Sequence, residues 1–122
     1  MRAWLAVERE EWRPALRAAV DAAEQKLLVG DLATMASCIV VAAISFARLG
    51  AFEPAAVLFG VQDQRTYWAD EVLEQFAQAE SAIVDRLGTE QGAALQARGA
   101  SMSSPELVAY LSVEAARVLD ES

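Results

Sequence analysis

The sequence predicts an all-α fold of antiparallel helical hairpins, about five to six helices in all. Three observations carry this. Alanine dominates a chain that is 55% hydrophobic but only 7% aromatic, and alanine is the strongest helix former and lets backbones approach closely. Apolar residues recur at helical spacing in segment after segment. Strand-favouring residues cluster only at Ile39-Val40-Val41, inside a longer helical pattern. A length of 122 residues suits one core, and no low-complexity linker divides it. The reading is therefore a single helical domain over 1–122, with N-terminal helices in 1–30, a hairpin in 31–65 and C-terminal helices in 66–122.

Met1 to about Glu11 places Trp4, Leu5 and Val7 ahead of the charged run Glu8-Arg9-Glu10-Glu11. Pro14 is tolerated in a first helical turn, so a helix starts near Arg13 and runs to about Val29. Its apolar stripe is Leu16, Val20, Ala23 and Leu27. Gly30 stops it and Asp31 caps the next. Leu32 to Leu49 is apolar nearly all round and belongs at the centre of the bundle. Gly50 ends that helix. A third follows from Pro54 to about Gln64, and so short a connection forces an antiparallel hairpin.

A fourth helix spans about Thr66 to Leu87. Trp68, Val72, Phe76, Ala79, Ile83 and Leu87 face inward, with Asp70, Glu71, Glu74, Gln78, Asp85 and Arg86 outside. Gly88 terminates it, and Thr89 caps a short helix to about Arg98 that Gly92 weakens and Gly99 breaks. Ser103 and Glu106 have capping-box spacing around Pro105. The last helix runs from there to about Leu119, with Leu107, Tyr110, Leu111, Val113 and Val118 as its apolar residues.

The formal charge of −8 has the wrong sign for phosphate backbones, so no nucleic acid is expected to contact this domain. Nine arginines stand against one lysine, Lys26, a bias that suits a GC-rich bacterial genome. The single cysteine, Cys38, rules out an intrachain disulfide framework, and no basic region followed by an apolar core opens the chain. Leu32 to Leu49 is interrupted by Thr34, Ser37, Ser45 and Arg48, short of the roughly 20 apolar residues that span a bilayer. A cytoplasmic location without membrane contact is expected.

The chain has no histidine, which removes the usual general base, the commonest metal ligand and the Ser-His-Asp and Cys-His arrangements. Cys38 lies among Met35, Ile39 and Val41, a setting for an inert buried thiol. Glu71 and Glu74, like Asp70 and Glu74, share a helix face, but the Glu-x-x-His of a di-iron site is missing, so a solvated face is the reading. Gly88, Gly92 and Gly99 fit no phosphate-binding loop and are read as helix punctuation. No catalytic residue, metal or cofactor is expected.

That leaves contact with a protein partner or with a second copy, a possible homodimer. Trp4, Leu5 and Trp12 are its interface candidates, because they sit where the core has barely begun. The alternative is a small-molecule-sensing domain, its apolar pocket lined by Met35, Phe46, Phe59 and Trp68.

One stretch resembles a tetratricopeptide hairpin. Ala43 and Phe46 take the small and large positions of its first helix, and Gly50 and Phe52 the turn glycine and following aromatic. Ala55 and Phe59 take the small contact and the aromatic of its second helix. Over about residues 30–119 the chain also resembles the C-terminal region of bacterial LuxR-type and AfsR-type regulatory ATPases and related multidomain adenylate cyclases. Gly50-Ala51-Phe52-Glu53-Pro54-Ala55-Ala56-Val57-Leu58-Phe59-Gly60 looks like their "G-D-x-x-x-A-A-R-L-L-G-A-A-E" stretch. Arg86-Leu87-Gly88 and Ala97-Arg98-Gly99-Ala100-Ser101-Met102-Ser103, followed by Glu106-Leu107-Val108-Ala109-Tyr110-Leu111, resemble their closing "R-x-x-L-G … G-x-x-M-S-x-x-E-A-V-A-Y-A-L" pattern. Ala51 stands where those proteins carry aspartate, and Val57 and Gln62 where they often carry arginine and alanine. The resemblance implies a helical regulatory region of a signalling or transcriptional regulator, and no ATPase activity is carried over to it.

Overall fold

The computed structural model describes residues 12–60 and 70–120, with the side chains of 70–73 and 76 left aside. These residues form six helices and no strand: α1 (Trp12–Val29), α2 (Leu32–Arg48), α3 (Phe52–Leu58), α4 (Asp70–Leu87), α5 (Thr89–Ala100) and α6 (Ser104–Asp120). None of them is long and apolar enough to cross a membrane.

Helix α2 is the axis, in contact with α1, α3, α4 and α6. That position follows from its composition. From Met35 to Ala47 every residue except Ala36 and Ser37 is buried, which only a helix apolar all round tolerates. Among the described residues Ser45 is the buried polar side chain of this core, and its hydroxyl donates to the Val41 carbonyl at 2.9 Å, which satisfies it within its own helix. Phe46 and Phe59 are wholly buried in the same cluster, each contributing about 2 kcal/mol by removal from water.

The turns flanking α2 are built alike. Asp31 N–H donates to Lys26 and Gly30 N–H to Leu27; Ala51 N–H donates to Phe46 and Gly50 N–H to Ala47. Both are Schellman closures, which require a left-handed residue, and Gly30 and Gly50 have φ of 80° and 84°. The Asp31 carboxylate accepts from Thr34 N–H at 3.2 Å and caps α2. At α6 the expected capping box is formed: Glu106 N–H donates to Ser103 Oγ, and Ser103 N–H donates to the Glu106 carboxylate.

Four local expectations are corrected. Helix α3 begins at Phe52, not Pro54, and ends at Leu58 rather than near Gln64. Proline is welcome anywhere in the first turn, and a turn at Phe59 and Gly60 then brings Gly60 against α5. The N-cap of α5 is Gly88, not Thr89, and makes no side-chain cap bond. Gly99 does not break α5, which runs through it to Ala100, and Gly92 and Gly99 are both buried inside the helix. Only Gly88 is punctuation, with φ of 88°. Lastly, Val113 is 66% exposed and takes no part in the core; α6 buries Leu107, Val108, Leu111, Ala115 and Val118 instead.

The α3–α5 contact explains the corrected glycines. A Cβ on Gly99 would lie 1.7 Å from the Val57 carbonyl oxygen, and one on Gly60 would lie 2.4 Å from that of Gln96. The two backbones touch because neither position carries a side chain. Elsewhere α6 returns to pack on α1, where Arg13 Nη2 donates to the Leu119 carbonyl at 2.8 Å and Ser112 Oγ to Glu24 at 3.3 Å. A stack of repeats brings each unit against its neighbours in sequence only; here the first and last described helices meet.

Candidate functional site

Each described aromatic that reaches the surface is covered by an arginine from another helix. The Arg48 guanidinium, from α2, lies over Trp12 of α1 at 5.5 Å and donates to Gln78 of α4. Arg86 of α4 covers Phe52 of α3 at 5.9 Å, and Arg98 of α5 covers Tyr110 of α6 at 5.3 Å. Such stacking suits the flat guanidinium and is poorly reproduced by lysine. The arginine bias, read from sequence as a genomic signature, therefore has a structural use at these positions.

Trp12, one of the three interface candidates, is half-buried against the core beneath Arg48. Trp4 and Leu5 lie outside the described residues. The repeat-signature residues come together: Ala43, Phe46, Ala55 and Phe59 join one core cluster, Phe52 packs against it, and Gly50 makes the turn. Of the four residues considered for an apolar pocket, Phe46 and Phe59 are enclosed by core neighbours, Met35 is almost buried, and Trp68 lies outside the described residues.

The exposed apolar surface is at the other end of α1. Leu28 is 86% exposed, Val29 75% and Leu32 49%, all beside the Gly30-Asp31 turn. Leu32 leads into a groove of about 340 Å³ where the starts of α2 and α6 meet the ends of α3 and α5. Leu32, Ala33, Met35, Met102 and Leu107 line it together with Ser104 and the backbones of Gly60 and Gly99, a mixed polar and apolar lining with no charged side chain. The sequence reading missed this surface because it followed only the buried stripe of α1. Leu28 and Val29 fall off that stripe immediately before a stop signal, and two large apolar residues there were the available clue.

Two further concavities are polar or shallow. One, of about 470 Å³, lies between the α2–α3 turn and the end of α6 and is bordered by Arg13, Glu53 and Arg117. Arg13 is held by the Leu119 carbonyl and Arg117 by Glu114 at 2.7 Å. The other, of about 410 Å³, lies between α4 and α5 beside Ala77, Val84 and Ala93.

Hydrogen bonds from Thr34 hold the Asp31 carboxyl below its ordinary range, and bonds with Ser103 do the same for Glu106. Burial pushes the Cys38 thiol up, which opposes the thiolate a nucleophile needs. Burial, with help from Glu114, also raises Tyr110. Glu74 is exposed and accepts from Gln78 at 3.4 Å, while the side chains of Asp70 and Glu71 are not among those described. Among the described residues no three Cys, Asp or Glu side chains gather where a metal ion could sit.

Comparison of the chain with protein-family models, with curated proteins and with solved structures finds no match.

Proposed function

We propose that this chain is a non-catalytic helical module for protein–protein contact, made with a partner protein or with a second copy of itself. The observation that carries the reading is the exposure of Leu28, Val29 and Leu32 around the Gly30-Asp31 turn, the last of them on the rim of a groove. Three large apolar side chains held in water gain free energy when another protein covers them. The absence of histidine from the sequence and the raised Cys38 thiol support a role without acid–base or thiolate chemistry. The resemblance to the C-terminal regions of LuxR-type and AfsR-type regulators supports placement in, or beside, a bacterial signalling or transcriptional regulator, acting in the cytoplasm and not itself touching DNA. The tetratricopeptide-like reading rests on Ala43, Phe46, Gly50, Phe52, Ala55 and Phe59.

Light scattering across a concentration series tests self-association, with Leu28→Glu/Leu32→Glu and Trp4→Ser/Leu5→Ser double variants measured in parallel. The expected result is a wild-type mass that rises above the 13.1 kDa of one chain, with the first variant held at that mass and its helical circular dichroism unchanged. If the second variant alone dissociates, the contact lies in the N-terminal segment. A wild-type chain at 13.1 kDa throughout would remove self-association and require a different protein as partner.

A further inference from the structure

We draw no further inference here: the strongest candidate, the groove where the starts of α2 and α6 meet the ends of α3 and α5, belongs to the surface already proposed for protein contact, and nothing in the structure shows what covers it.

Discussion

Helices α3 and α5 meet backbone to backbone, whereas at Trp12, Phe52 and Tyr110 an arginine arm from another helix lies over the ring at the surface. The first kind of contact is rigid. A main-chain carbonyl cannot step aside, so a single added methyl must move a whole helix. The second kind adapts, because a guanidinium on several rotatable bonds can re-aim when its neighbour changes. These two kinds of contact, both outside the side-chain packing of the apolar core, should respond to substitution very differently.

Gly99→Ala is the strongest way to break the comparison. Its Cβ would overlap the Val57 carbonyl at 1.7 Å, so we expect a loss of about 3 kcal/mol or more, read as a lowered urea midpoint. An alanine tolerated there with unchanged stability would show that α3 and α5 are not in backbone contact. Arg48→Ala should cost less, about 1 kcal/mol, by removing the cover of Trp12 and the bond to Gln78. Trp12 fluorescence, read in a Trp4→Phe/Trp68→Phe background, should shift to the red as the ring gains solvent, and an unchanged spectrum in that variant would contradict the clasp.

Gly92→Ala sharpens the contrast from inside the same helix. Its Cβ would meet only the Ile83 methyl at 3.8 Å, an ordinary contact, so alanine should stabilise by about 0.5–1 kcal/mol through helix propensity. The two substitutions should therefore move the thermal midpoint in opposite directions. The smallest effect is expected from acid. Asp31 and Glu106 have carboxyls held low in the folded state, so their contribution is complete above the ordinary carboxylate range and is lost as pH falls through their folded values. The melting temperature should decline below about pH 4, and Asp31→Asn with Glu106→Gln should flatten that decline.

What could be read from the residues, and what could not, divides along the same line. Gly30, Gly50 and Gly88 ended helices as their positions in the apolar pattern indicated, and all three have positive φ. The central place of α2 was legible because no face of it is polar. Gly99 was not legible, since the same residue serves where φ is left-handed and where a neighbour leaves no room for a Cβ. Nothing along the chain separates those two uses; only the path of α3 does. The arginine clasps were hidden likewise, because Arg48 and Trp12 are distant in sequence and their pairing depends on how α1 crosses α2. At the candidate site, the attention given to tryptophans favoured one end of α1. The exposed leucine and valine stand at the other, about 25 Å away along an 18-residue helix.

The hydrogen bond from Arg13 to Leu119 spans 106 residues of sequence. Closing a loop of that length costs entropy, which the packing of α6 on α1 must offset. In a linear array, an end unit can detach while the others stay folded. Here, detaching α6 strips a face from α1, and α1 is the principal cover of α2. Loss at either end therefore reaches the axis, and the described helices are expected to unfold as one cooperative unit, with coincident transitions by fluorescence and circular dichroism.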